Sequence, residues 1–316
     1  MKKRIGLFAA ITAIVATALC GCNTSIDGIG FSVTNYSYKN AELYLKGNAE
    51  YSADEFNNID LSWVFGKATI NYADVEKITL DETADKELED KFLLRSRIES
   101  DTLYIKYIDS VNTLTVAPKK DLTLTLPLGF KTKEFYISVS SADITINGGK
   151  TENLVFKSSS GDISYTGTVD NEFKSSTSSG DADINVKSKC AFDLGTSSGN
   201  IYVKADGSTN AEAHSSSGNI ELDISACDRM KINTSSGKAS VKATTALSEC
   251  KIETASGNVK LFLPQYFGAT INYRTSSGDF SSTLPSTSSG KTHVIASGEN
   301  KFDVSTSSGD LRILSK

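Results

Sequence analysis

The chain has 316 residues, with 33 basic and 38 acidic side chains and a formal net charge of -5. This acidic balance makes nucleic acid and anionic lipid poor partners, because both repel a negatively charged surface. Five cysteines and two histidines are present. Cys190, Cys227 and Cys250 have irregular spacing and no histidine nearby, which indicates neither a disulfide framework nor a zinc site.

The first residues have the pattern of a secretory signal peptide. Lys2, Lys3 and Arg4 precede an apolar run from Ile5 to Leu19, which is shorter than the ~20 residues of a spanning helix. The run ends in the sequence Leu-Cys-Gly-Cys, which resembles the bacterial lipobox, whose last cysteine is acylated. We therefore predict a signal peptide at 1–21 and a lipid on Cys22 that anchors the protein to the bacterial membrane. Secretion without a lipid is the alternative.

The residues after the acylated cysteine have the composition of a tether. The stretch Asn23–Ser37 is rich in Ser, Thr, Asn and Gly and lacks an apolar period, as a flexible linker does. The predicted boundaries are 22–56 for the lipidated cysteine with its polar linker and 57–316 for a repetitive β-domain. Within that domain, 71–134 is expected to be irregular and 135–316 regular.

A Ser/Thr-rich phrase that ends in glycine recurs along the C-terminal half, as in the sequence TSSGD around Gly180. From Gly161 to Gly237 the glycines recur at one constant interval, and the intervals that follow become progressively longer. Low-complexity disorder would not hold such a period. The glycines predicted to form structural turns are Gly66, Gly161, Gly180, Gly199, Gly218, Gly237, Gly257, Gly278 and Gly309.

Apolar residues occupy fixed positions around these glycines, seven and five residues before and two and four after. Around Gly199 they are Phe192, Leu194, Ile201 and Val203. A spacing of two places the four side chains on one face of a strand, so each repeat contains two short strands joined at a corner. The same template fits Gly66 and Ala142. The predicted fold class is all-β, a single-stranded parallel β-solenoid (β-helix) with coils of about 19–21 residues.

One such coil is too short to bury its apolar face alone, so coils must stack at ~4.8 Å and pair strand to strand. We expect each corner glycine to adopt a positive φ. The flanking Ser, Thr, Asp and Asn side chains are expected to bond the local backbone of the corner. This interpretation gives the repeated phrase a structural role.

The segment between Gly66 and Ala142 is as long as four of the constant repeats, but no clear corner phrase identifies the intermediate turns. Asp81–Asp90 is charged and is predicted to be an excursion from the stack. Leu103–Tyr107 and Leu122–Leu126 alternate like strands. They either complete coils or form an N-terminal cap.

A second departure from the repeat lies between Gly278 and Gly309. Pro285, a further TSSG phrase ending at Gly290, and Gly298 occur there. These turn-forming residues predict an inserted hairpin.

The recurring [ST]SSG[DN] turns followed by Ile, Leu or Val resemble the putative-adhesin family of bacterial surface β-solenoids. The resemblance runs from about Asn57 to Leu314 and is especially close in the stretch from Gly298 to Leu314. It implies a non-enzymatic surface lipoprotein that serves in adhesion or as a structural or binding protein of the cell envelope. It implies no catalytic residue.

A polysaccharide-active β-helix enzyme is the main alternative. Such an enzyme needs paired carboxylates, or a base with cations, in one cleft. His214 and His293 fall in different repeats, and of the acidic pair Asp181 and Asp183 one occupies the repeated corner position. We therefore predict no catalytic, cofactor-binding or metal-binding residue.

Self-assembly into an envelope scaffold is a further alternative, because end coils expose unpaired strand edges. The charged residues Asp310, Arg312 and Lys316 near the last coil are interpreted as edge protection, which favours a monomer. The expected partners are the membrane, through the lipid on Cys22, and a glycan, cell-wall polymer or protein ligand. The expected location is extracytoplasmic, lipid-anchored and surface-facing.

Overall fold

The computed structural model describes residues 30–33, 35–113 and 115–316, so the predicted signal peptide and Cys22 lie outside the described residues. Apart from two 3-10 turns, Ala41–Leu43 and Asp90–Phe92, the regular structure is β-strand. The strands are β1 (Gly30–Val33), β2 (Leu45–Lys46), β3 (Ala49–Ser52), β4 (Asn58–Ala73), β5 (Lys77–Ala84), β6 (Arg95–Glu99), β7 (Thr102–Lys106), β8 (Thr115–Pro118), β9 (Lys120–Pro127), β10 (Lys131–Ser158), β11 (Ile163–Thr177), β12 (Ala182–Thr196), β13 (Ile201–Ser215), β14 (Ile220–Thr234), β15 (Ala239–Thr254), β16 (Val259–Leu263), β17 (Ala269–Arg274), β18 (Phe280–Ser282), β19 (Ser286–Ser289), β20 (Thr292–Ile295), β21 (Asn300–Thr306) and β22 (Leu311–Ser315).

The predicted parallel β-solenoid is confirmed. Strands β10 to β15 pair in parallel with their successors, and equivalent template positions lie side by side, as in the row Ile163, Ala182, Ile201 and Ile220. The template side chains are buried. Each large apolar side chain contributes about 1.5–3 kcal/mol on burial, and stacking removes both faces of a coil from water. The stacked inward rows therefore form one continuous core.

We name each coil by its corner residue. A coil consists of the strand segment that leads into the corner and the strand segment that follows it, so each long strand from β11 to β15 contributes to two successive coils. From the Ala142 coil to the Gly257 coil, the coils stack in chain order, each one repeat after the last as the sequence indicates. The stretch that connects one coil to the next, such as 167–171, forms a second corner on the opposite side. The register shifts between neighbouring coils fall at this second corner.

The N-terminal end of the stack is out of chain order. The Gly66 coil pairs directly with the Ala142 coil on one side, so the segment between them does not form further coils stacked in sequence. On its other side it pairs with β7 and β9, which together form one two-strand coil. Leu103–Tyr107 and Leu122–Leu126 thus lie in one end coil, and Asp81–Asp90 lies in the excursion outside it.

A cap of antiparallel strands covers this end coil. Strand β6 pairs with β7, β5 pairs with β9, and β2 and β3 add outer strands. Part of the segment predicted to be a linker also folds, because β1 pairs with β8 and Tyr36 is buried. Among the described residues, no helix is long and apolar enough to span a bilayer.

The C-terminal end is also out of chain order. The Gly309 coil, formed by β21 and β22, lies between the Gly257 and Gly278 coils. The segment after the Gly278 coil contains the expected hairpin, with β19 and β20 joined at Gly290, and β20 covers the outer edge of β17. Asp310, Arg312 and Lys316 therefore do not protect an end edge as expected, because their coil is internal.

Candidate functional site

The repeat glycines stand at the corner of each coil, but their role differs from the predicted one. Of the nine predicted turn glycines, only Gly66 has a left-handed φ, at 107°. At the other eight a Cβ atom would lie 1.7–2.1 Å from the carbonyl oxygen of the adjacent coil's corner residue. The expectation of positive φ at those eight is wrong. Glycine is required there because the corner backbones of successive coils approach too closely for any side chain.

A buried hydroxyl three residues before the glycine holds most corners. At Gly180 the Thr177 Oγ1 accepts a hydrogen bond from the glycine N–H at 3.0 Å. The same bond, at 2.8–3.0 Å, is made by the side chains of Thr196, Ser215, Thr234, Thr254, Thr275 and Thr306. These hydroxyl groups accept from the glycine N–H inside the corner, so they do not contribute to the outer surface.

After most corner glycines an Asp or Asn side chain accepts a hydrogen bond from the backbone of the neighbouring coil, where local bonds were expected. Asp162 Oδ1 accepts from Asp181 N at 2.7 Å, and Asp181 Oδ1 accepts from Asn200 N at 2.6 Å. Asn200 and Asn219 continue the ladder toward Lys238, whose side chain has no acceptor and interrupts it. The recurrence of Asp and Asn at this position is therefore explained by coil-to-coil hydrogen bonding.

The residues considered for catalysis are dispersed. Asp181 belongs to the corner ladder, and Asp183 is an exposed residue of the strand after it. His214 is exposed on the strand before the Gly218 corner, whereas His293 lies in the C-terminal hairpin, stacked on Phe280 at 3.5 Å. Burial lowers the pKa of His293. The structure does not bring these four residues together in one cleft.

The three downstream cysteines are buried free thiols. Burial raises the pKa of Cys190 to about 12 and that of Cys227 to about 11, and it also raises the pKa of Cys250. A thiol with such a pKa is a weak nucleophile at neutral pH. Among the described residues, no group of three or more His, Cys, Asp or Glu side chains is placed to hold a metal ion.

A groove of about 620 Å³ runs along the solenoid on the outer face of the strands that precede the corners. It crosses the Gly218, Gly237, Gly257 and Gly309 coils, and Met230 and Cys250 form part of its lining. Two rows of long polar side chains form its walls. They are Asn210, Arg229, Glu249 and Lys301 in the first row, and Glu212, Lys231, Lys251 and Asp303 in the second.

The two walls of this axial groove differ in how their charges are paired. In the second row, Lys231 pairs with Glu212 at 3.5 Å, and Asp303 lies 3.8 Å from Arg274. In the first row, Arg229, Glu249 and Lys301 are exposed and have no ion-pair partner within 4 Å among the described residues. These three alternating charges stand on neighbouring strands, about 4.8 Å apart. They are available to a ligand that carries charge of both signs.

Sequence reasoning missed this groove because the template constrains only inward positions. Aligning the outward positions in register would have placed Arg229 beside Glu249. Lys301 joins them only because the Gly309 coil lies against the Gly257 coil, and that order is not evident from the spacing of the repeats.

A buried ionic cluster in the N-terminal cap also escaped sequence reasoning. Lys120 Nζ pairs with Glu82 at 2.6 Å and lies 5.1 Å and 4.8 Å from the ring centres of Trp63 and Tyr107. The Lys120 side chain is fully buried, and burial lowers its pKa to about 8, against the opposing effect of Glu82. This cluster closes the core where the inward apolar rows end.

Comparison with known proteins identifies a family. The chain is similar to a "putative adhesin" from Parabacteroides distasonis at 13% identity, over 85% of this chain and 97% of that chain, with a TM-score of 0.49. A "putative adhesin" from Bacteroides fragilis has 14% identity, coverage of 84% and 96%, and a TM-score of 0.39. A "putative lipid binding protein" from Parabacteroides distasonis has 18% identity, over 84% of this chain and 95% of that chain, and a TM-score of 0.44. At these values the likenesses carry no argument about function.

No curated protein matches the chain. The Toastrack DUF4097 family matches residues 68–314, which include the coils from Ala142 to Gly309 and most of the N-terminal cap. The chain therefore belongs to the Toastrack DUF4097 family.

Proposed function

We propose that this protein is a non-enzymatic, adhesin-type binding protein, held outside the cytoplasm by a lipid on Cys22. The proposal combines the signal sequence, the membership of a β-solenoid family, and a long rigid body with polar side chains on its outer faces. A solenoid suits such a role because hydrogen-bonded coils hold many surface groups at fixed spacing.

The axial groove is the proposed ligand site. The observation that carries this assignment is the row of Arg229, Glu249 and Lys301, which are charged, exposed and unpaired. The stacked coils already hold the backbone of this row in place, so binding requires ordering of the side chains only. The pattern of their charges selects partners of complementary charge. A cell-wall polymer, a charged glycan or an extended protein segment with charges of both signs fits this pattern.

The short distance in sequence between Cys22 and β1 sets the geometry at the membrane. At full extension the stretch from Cys22 to Gly30 spans about 28 Å. The N-terminal cap would then lie nearest the membrane, with the groove several coils further out. In a Cys22→Ala variant we expect loss of the protein from the membrane fraction, or blocked maturation. A variant that is processed and membrane-bound as before would contradict lipid anchoring.

The groove is tested by binding of the purified full chain to isolated cell-envelope polymers. We expect the double charge reversal Arg229→Glu/Lys301→Glu to weaken binding at least tenfold. Lys204→Glu/Lys260→Glu is the matched control, because it makes the same charge change at exposed lysines on another face. Equal binding by both variants would show that the groove is not the ligand site. Release of soluble products from the polymers would overturn the non-enzymatic proposal.

A further inference from the structure

The last coil of the chain is an internal coil of the stack. Strand β21 is hydrogen-bonded to β15 on one edge and to β17 on the other. Strand β22 lies in the same way between β16 and β18. The Gly257 and Gly278 coils, which are consecutive in sequence, therefore form the two walls of a slot. The C-terminal coil, 300–315, fills this slot.

The C-terminal coil matches the walls of the slot both in its inward apolar residues and in its corner hydrogen bonds. Phe302 and Val304 are fully buried in line with the neighbouring inward rows. Asp310 N donates to Asn258 Oδ1 at 2.8 Å, and Asp310 Oδ1 accepts from Asp279 N at 3.1 Å. The coil thus continues both the core and the corner ladder. All of these contacts belong to the coil and its walls, and none depends on which chain supplies the coil.

The connection to this coil is short and conformationally strained. Residues 296–299 cross from β20, on one edge of β17, to β21 on the other edge. Ala296 has a φ of 47° and Gly298 a φ of 70°. A non-glycine residue in this region is disfavoured. The crossing is held over the start of β17, where Thr270 Oγ1 donates to the Gly298 carbonyl at 2.7 Å.

We propose that the slot also accepts the C-terminal coil of a second copy of this chain, so that two molecules exchange their coils reciprocally. Exchange preserves every contact of the coil with its walls, and an opened hinge no longer needs the left-handed Ala296. Short strained hinges favour this kind of exchange. The exchanged dimer joins two solenoids at the end opposite the N-terminal cap.

Cysteine cross-linking tests the exchange, because Glu253 and Ser305 are neighbours across β15 and β21. One full-length chain carries Glu253→Cys and a second, differently tagged chain carries Ser305→Cys. The two are unfolded together and refolded at increasing protein concentration. We expect a mixed disulfide between the two chains, in an amount that rises with concentration. If the double variant in one chain forms its internal disulfide while the mixed chains never cross-link, the proposal is wrong.

Controls separate coil exchange from non-specific oxidation. Glu253→Cys mixed with Arg274→Cys should give no mixed disulfide, because the C-terminal coil lies between these two positions. Ala296→Gly relieves the strain of the hinge and should lower the dimer yield about fivefold. Deletion of Ser297 shortens the crossing and should make the dimer the main species. A folded, monomeric deletion variant would equally overturn the proposal.

Discussion

The outermost coil is covered at both ends of the solenoid, but by different kinds of interaction. At the N-terminal end the outermost coil is not the first in sequence, and at the C-terminal end the outermost coil is not the last in sequence. Antiparallel strands cover an edge of the outermost coil at both ends. The N-terminal cap encloses Lys120 with Glu82 and Arg95 with Asp109. The C-terminal hairpin instead stacks His293 on Phe280 and covers β17, while the outer edge of β18 has no strand partner among the described residues.

This difference shows which interactions specify the structure of each end. Buried charges demand complete hydrogen bonding, so the N-terminal cap is highly specific but intolerant of the loss of one partner. The C-terminal end depends on the repeat template, which is less selective because several coils share it. The slot that holds the C-terminal coil is built from this shared template. We therefore expect coil exchange at the C-terminal end and none at the N-terminal end.

The regular coils between the ends provide the reference for this comparison, and the largest effect is expected there. Ile201 is 1% exposed and the adjacent Tyr202 is 40% exposed. Ile201→Asp should cost more than about 4 kcal/mol, because a buried carboxylate in an apolar row has no partner. Tyr202→Asp should cost less than about 1 kcal/mol. Equal thermal midpoints for the two variants would mean that the inward and outward faces are wrongly assigned.

The N-terminal cap can be broken at its ion pair. Glu82→Gln should lower the free energy of unfolding by about 3–5 kcal/mol, because Lys120 stays buried without its counter-charge. Adding Lys120→Met should recover part of that loss, and chemical denaturation of both single variants and the double variant measures the coupling. Additive losses would show that the pair does not stabilise the cap as a unit.

The corner glycines can be compared with a glycine in the loop beside the N-terminal cap. At Gly218 a Cβ would lie 1.7 Å from the Gly199 carbonyl oxygen, whereas at Gly129 it would meet nothing within 4 Å. We expect Gly218→Ala to cost about 3 kcal/mol by overpacking and Gly129→Ala to cost less than about 0.5 kcal/mol. Similar unfolding midpoints for both would argue against close coil contact as the reason for glycine.

The titration of Lys120 sharpens the description of the cap. Its pKa falls from 10.5 to about 8 on folding, so between these values the unfolded chain binds the additional proton. Stability due to Lys120 should therefore rise with pH across this window, by at most about 1.4 kcal/mol per pH unit. Glu82→Gln/Lys120→Met should lack this contribution. Parallel pH–stability curves for the two proteins from pH 8 to 10 would exclude it.

The smallest effect is expected at the corner ladder. Asp162→Asn should change stability by less than about 0.5 kcal/mol, because an amide oxygen accepts the same backbone hydrogen bond. Asn200 and Asn219 already do so. The same substitution should leave binding to envelope polymers unchanged. A loss of binding caused by Asp162→Asn alone would place the ligand at the corner and remove the axial groove from its assigned role.

The regular half of the fold was predictable because its information is local. Apolar residues at a spacing of two, such as Phe192 with Leu194, define a strand face, and the period of the glycines defines the coil. The stacking order at the ends was not predictable in this way. The Gly278 and Gly309 coils carry the same template, so the sequence near Gly257 does not distinguish which of them lies against it. The groove depends on that order and was missed with it.

The second corner carries a consequence for how such proteins change length. The TSSG corner leaves no room for even a methyl group, whereas the irregularities in coil length occur on the opposite side, as where Thr244 and Thr245 widen the connection after the Gly237 coil. Insertions and deletions in evolution should therefore accumulate at the second corner. For the same reason it is the place at which to graft an epitope or a fluorescent label, or to duplicate a repeat, without disturbing the stack.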